Sequence, residues 1–143
     1  GANIPIGGER AFYNRTTDSI TMPDRHRFVG TKTSTATEGW YSTLLHELTH
    51  WSGAETRCAR TFGERFGDDA YAMEEMVAEL GAAFLCGDLG ITAEPRADHA
   101  DYIGHWLRIL KGDRKAIFTA ASAANKAAEY LKSIAQIEQR EAT

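Results

Sequence analysis

The pentapeptide His46-Glu47-Leu48-Thr49-His50 constrains this chain more than any other stretch, because its charged side chains act together only on a helix. Residues four apart on a helix are separated by about 40° in azimuth and 6 Å in height. Both imidazoles then project from one face and can bind one metal ion. Glu47, one residue along, is placed to take a proton from a water beside that ion. Random placement of the chain's 5 His and its glutamates over 143 positions gives about 0.014 such matches, so the spacing is selective. The surrounding sequence supplies the helix. Thr35-Ala36-Thr37-Glu38 fits a capping box. Trp40, Leu44, Leu48 and Trp51 form an apolar stripe at helical spacing, and Gly53 suits a C-terminal stop.

Strand and turn signals precede this helix. Ala11-Phe12-Tyr13 and Ser19-Ile20-Thr21-Met22 flank the polar run Asn14–Asp18, which predicts a hairpin. Pro23 lacks a ladder donor, so it either ends the second strand or confines it to a sheet edge. A loop is expected over 24–34. A second helix is expected from about Asp68-Asp69, with Met73, Met76, Val77, Leu80 and Phe84 inward and Gly87 and Gly90 as terminators. A third should run over 98–111 with Ile103, Trp106, Leu107 and Leu110 inward, and an Ala-rich fourth over 114–139. No repeat or low-complexity linker interrupts the chain, which predicts a single domain, 1–143. Cys86 falls in an apolar helical stretch and reads as a buried free thiol.

A tetrahedral zinc site with catalytic capacity needs a third protein ligand and an open position. No histidine follows His50 within the next turns, so the ligand is expected to be a carboxylate from the second helix, which offers Glu74, Glu75 and Glu79. Glu75 and Glu79, four apart, share one face beside the apolar stripe. They suit one ligand and one carboxylate that orients a histidine. Glu74 is expected to point elsewhere, into solvent. Tyr71, His99 and Tyr102 are candidate donors to a developing oxyanion.

Composition sets outer bounds. A net charge of −4 without a clustered basic patch excludes a built-in nucleic-acid grip, and no apolar run approaches the ~20 residues of a membrane span. The cytoplasm is the expected location. The chain opens Gly1-Ala2-Asn3 without Met and is expected to be the C-terminal part of a longer protein.

Three segments carry a resemblance to a known family: His46–Trp51, Arg65–Glu75 (Arg-Phe-Gly-Asp-Asp-Ala-Tyr-Ala-Met-Glu-Glu) and Val77–Leu85 (Val-Ala-Glu-Leu-Gly-Ala-Ala-Phe-Leu). Tyr13-Asn14, Asp18–Pro23 and Ala116–Ser122 extend it over most of the chain. Together they resemble the zincin-like metallopeptidase domain of ArdC-type antirestriction proteins, found also in plasmid TraC-type primases. The resemblance implies an α+β zincin-like domain, with a short antiparallel sheet around the N-terminal hairpin packed on about four helices. It implies a Zn²⁺ cofactor held by His46, His50 and Glu75, Glu79 orienting a histidine, Glu47 as general base, and a protein or peptide substrate. It places single-stranded DNA binding in a separate N-terminal domain and the protein on conjugative plasmids. Two other functions fit the same residues: a metal-stabilised, non-catalytic binding module in antirestriction, and a regulatory protease that cleaves a repressor. A substrate strand is expected to add to the sheet edge near Ser19–Met22.

Overall fold

A computed structural model describes residues 1–63, 69–92 and 99–141, and for 99–102 the helical backbone alone. The elements run β1 (Ile6–Gly8), β2 (Phe12–Asn14), β3 (Ser19–Pro23), a 3₁₀ turn (Arg25–Arg27), α1 (Ala36–Ser52), α2 (Asp69–Leu89), α3 (His99–Gly112) and α4 (Ala116–Glu141). The architecture is the expected α+β arrangement.

The hairpin forms in the register Phe12↔Thr21, Tyr13↔Ile20 and Asn14↔Ser19. The sheet, however, is mixed. Its order is β1-β3-β2, and β1 lies parallel to β3. Ile6-Gly7-Gly8 has little strand propensity of its own and no alternation to betray it. It pairs because Ile20 and Met22 are fully buried and their N–H groups need acceptors. Asn3 and Pro5 supply them: Ile20 N donates to Asn3 O at 2.9 Å and Met22 N to Pro5 O at 3.0 Å. Gly7 sits at φ +122°, a conformation that suits glycine. Strand β3 is therefore central, and Pro23 is its last residue. The expectation that a substrate strand adds to Ser19–Met22 fails, because both edges of β3 are already paired.

Helix α1 begins with the capping box. Thr35 Oγ1 accepts from Glu38 N at 3.2 Å, and Glu38 Oε2 accepts from Thr35 N at 2.8 Å. Glu38 also accepts from Thr92 N at 3.0 Å, which ties the loop after α2 to the start of α1. The backbone N–H groups of Thr35 and Thr92 lower the Glu38 pKa to about 2.

One core cluster joins the sheet to α1 and α4. Ile20, Met22, Trp40 and Trp51 pack with Leu44, Leu48, Tyr130 and Leu131, and Trp40 Nε1 donates to Pro23 O at 3.0 Å. The other cluster joins α2, α3 and α4 through Met76, Val77, Ala120 and Ala124, with Trp106 and Leu110 against them. Helix α4 contributes a stripe of small residues (Ala116, Ala120, Ala124, Ala127, Ala128), all buried.

Some expected core residues lie outside. Phe84, Ile103 and Leu107 are 37%, 47% and 51% exposed. Helix α2 packs on α1, α3 and α4, and small residues such as Ala78, Gly81 and Ala82 occupy its closest contacts while the aromatic at 84 turns out. Cys86 is buried and free, as expected. Among the described residues, no helix is long and apolar enough to cross a membrane.

A close approach fixes the place where α1 meets α2. A Cβ built on Gly81 would lie 2.6 Å from Thr49 Cγ2, and Thr49 is itself fully buried with its hydroxyl donating to Leu45 O. A β-branched side chain held this way has no rotamer in which to retreat. Gly81→Ala is expected to cost about 1–3 kcal/mol, measured as a lowered urea midpoint. Glu38→Gln is expected to lower stability most near neutrality. The depressed pKa of Glu38 makes its contribution complete above about pH 4.5 and lost as pH falls towards 2, so the gap between wild type and variant should close over that window in urea titrations.

Candidate metal centre

Helix α1 supplies three buried groups, His46, Glu47 and His50, at 3%, 4% and 8% exposure. Helix α2, held close by Gly81, supplies Glu74, Glu75 and Glu79. The two imidazole Nε2 atoms lie 3.1 Å apart, with the rings edge-on at 80°. Glu75 Oε2 is 3.6 Å from His46 Nε2, and Glu75 Oε1 is 3.4 Å from His50 Nε2. A tetrahedral ion with bonds of 2.0–2.1 Å has edges of about 3.3–3.4 Å between its ligand atoms. The separations of 3.1–3.6 Å are near those edges, with Glu75 turning one oxygen to each histidine, and one donor atom from each of the three residues lies within 4.8 Å of the others, a grouping whose chemistry fits a divalent cation.

The opposite nitrogens of both rings face carboxylates. His50 Nδ1 lies 3.1 Å from Glu74 Oε1. Glu74 is gripped by Arg60, whose Nε donates to Oε2 at 2.9 Å and Nη2 to Oε1 at 2.8 Å. Arg60 is anchored in turn by Ser52 Oγ and by the carbonyl of Thr49. His46 Nδ1 lies 2.9 Å from Glu79 Oε1, although its N–H is not aimed at that oxygen. A carboxylate hydrogen-bonded to Nδ1, as Glu74 is at His50, orients an imidazole and leaves its Nε2 lone pair for an ion.

The electrostatics follow from this crowding. Burial disfavours a charged imidazole, but Glu75 and Glu79 outweigh it at His46, and Glu74 and Glu75 do so at His50, so both pKa values rise. Burial would push Glu75 up, yet the two histidines hold it well below the usual carboxylate range. Glu74 is likewise held low, by Arg60 and His50 against its burial. Without a cation, this arrangement favours protonated histidines beside ionised carboxylates.

Above these groups opens a cleft of about 460 Å³ into which Glu47 also faces. Edge strand β2 and its flanks form one wall, with Arg10, Phe12, Tyr13 and Arg15. Phe62, Gly63 and Tyr71 form another. The structure thus brings together His46, Glu47, His50, Glu75 and Tyr71 in one cleft, with Glu79 against His46. His99 and Tyr102 fall on α3, and their side chains lie outside the described residues.

Glu74 corrects the sequence reading. It is 4% exposed rather than solvated, because Arg60 accompanies it into the interior. Neither Glu74 nor Arg60 carries a local signal. Arg60 lies 14 residues away in an irregular segment, and only the tertiary fold unites them.

Because a cation must displace the protons that the carboxylates hold on the histidines, affinity for Zn²⁺ is expected to rise with pH across the neutral range. Calorimetric titrations in buffers of different ionisation enthalpy should show net proton release. Glu74→Gln is expected to weaken binding about 10- to 100-fold. A pH-independent affinity would mean that the histidines are not the ligands.

Comparison with known proteins follows the same lines. Residues 1–123 match the family model described as zincin-like metallopeptidase. The protein y4eC of Sinorhizobium fredii is 44% identical over 131 residues, covering 92% of this chain and 41% of that protein. The DNA primase TraC of Escherichia coli is 38% identical over 137 residues, covering 95% of this chain and 9% of the primase. Among solved structures, the Mn(II)-bound antirestriction protein ArdC from plasmid R388 superposes with a TM-score of 0.80 at 41% identity, over 93% of this chain and 48% of that one. Its metal-free form gives 0.73 at 42% identity, over 92% and 45%. The chain spans less than half the length of each of these relatives.

Proposed function

The chain belongs to the zincin-like metallopeptidase family, and from that premise we propose that it hydrolyses peptide bonds, with a divalent ion held by His46, His50 and Glu75. Zinc is the ion we propose, since two imidazoles and one carboxylate suit it; the same donors accept manganese, the ion in the related ArdC structure. When bound, such an ion supplies Lewis acidity, polarising the scissile carbonyl and acidifying a neighbouring water.

The observation that carries this reading is the place of Glu47. Its carboxylate is buried in the same cleft as the converged donors, where a purely structural site has no use for it. Glu47 accepts a proton from the attacking water as oxygen bonds to the carbonyl carbon. It returns that proton to the amine nitrogen as the C–N bond breaks. Tyr71, on the cleft wall, is our choice over His99 and Tyr102 as donor to the carbonyl oxygen as it gains charge. Glu79 and the Arg60–Glu74 pair hold the histidines in position. The edge of β2, unpaired among the described residues, rather than β3, offers backbone groups to an extended peptide.

Residues 1–143 act here as one domain of a longer protein. The relatives suggest an antirestriction setting, since ArdC is an antirestriction protein and TraC a DNA primase. We assign contacts with DNA to regions of the longer relatives that this chain does not span. The alternative, a metal-stabilised binding module, needs the same three ligands but not Glu47.

Elemental analysis beside hydrolysis of an unstructured protein such as casein separates the two. Glu47→Gln is expected to keep about one ion per chain while losing 10²- to 10⁴-fold in rate. Glu75→Ala is expected to lose the ion. Hydrolysis that survives Glu47→Gln would overturn the mechanism.

A further inference from the structure

Resting on the hydrolytic reading above, we propose that the cleft selects peptides with acidic residues on both sides of the scissile bond, through Arg10 and Arg15. The chain carries a net charge of −4, so on average its surface repels acidic ligands. The β2 wall of the cleft reverses that sign. Arg10 and Arg15 flank the strand at its two ends, and both line the cleft.

Their neighbours sharpen the contrast. Arg57 is committed to Asp18 and Arg60 to Glu74. Among the described residues, neither Arg10 nor Arg15 forms an ion pair. The Arg15 guanidinium instead lies 5.3 Å from the centroid of the Phe62 ring, a cation–π contact that holds it at the mouth without neutralising it. Both side chains are exposed, so each is available to an incoming carboxylate.

Arg10 stands in the bend before β2 and Arg15 in the turn after it, so the two bracket the strand Phe12–Asn14. A peptide lying beside β2 would therefore place about four residues, opposite 11–14, between the two guanidinium groups. Phe12, 43% exposed, and Phe62 line the same cleft and give apolar surface to a side chain between them. Basic side chains at the flanking positions would meet like charge. A phosphate backbone would also meet the two arginines, but two guanidinium groups on a chain of net charge −4 are a weak grip for one.

The test is fluorescence anisotropy with zinc-loaded Glu47→Gln chain, which needs no turnover. Three labelled peptides share one sequence except at the two flanking positions, which carry Glu, Gln or Lys; a thymidine oligonucleotide serves as the fourth probe. The Glu peptide is expected to bind about fivefold tighter than the Gln peptide, a preference that fades with added salt. In R10Q/R15Q the two should bind alike, and in R10E/R15E the order should invert in favour of Lys, which also shows that the cleft is intact. Equal binding of the Glu and Gln peptides, or a preference that survives R10Q/R15Q, would overturn the selection. So would an oligonucleotide that outcompetes the Glu peptide at the same arginines. If the Glu preference holds while wild-type chain fails to cleave casein, the selection stands and the hydrolytic reading falls.

Discussion

The approach of α2 to α1 is the constraint on which the rest depends. One helix carries the imidazoles and the other the carboxylates, and neither set has a function alone. Their separation is fixed where Gly81 meets the buried side chain of Thr49, one residue before His50. Any larger residue there would push Glu75 away from two nitrogens that stand 3.1 Å apart. Taking so many ionisable groups out of water is costly unless each is compensated. Arg60 does this for Glu74, and the histidines do it for Glu75 and Glu79. A divalent cation would take over that role from protons, so folding and ion binding draw on the same arrangement.

The remaining elements place a wall over this centre. Trp40 bonds the end of β3 to α1, while Arg57 ties the hairpin turn to the segment after that helix. The Arg57 guanidinium stacks 4.0 Å from the Trp51 ring centroid and binds Asp18, and its Nη2 donates to the Tyr13 hydroxyl at 3.2 Å. Strand β2 is thereby fixed relative to the histidines, which gives the cleft a firm side along which an extended chain can lie. The alanines of α4 perform the complementary service from below, letting α2 bury its small-residue face.

Legibility in the sequence followed the range of the interaction. The capping box, the two histidines and the hairpin depend on residues within nine positions of each other, and each of these elements forms. The pairing of Glu75 and Glu79 on one face was also local, being a matter of helical spacing. What escaped the sequence was set by distant partners. Strand β1 exists because β3 has buried donors to satisfy. Glu74 is internal because Arg60 is, and Phe84 is exposed because the faces of α2 that meet other helices are taken by small residues. Helical periodicity shows which residues share a face but not which faces find a partner.

The central claim is that His46, His50 and Glu75 form one ion site, with Glu74 and Glu79 behind the imidazoles. Anomalous diffraction at the zinc edge from crystals of the zinc-loaded chain tests it most directly. The account predicts one strong peak about 2.0–2.1 Å from both Nε2 atoms and from a Glu75 oxygen. A peak centred on Glu74 or Glu79, or no peak at full zinc loading, would contradict it.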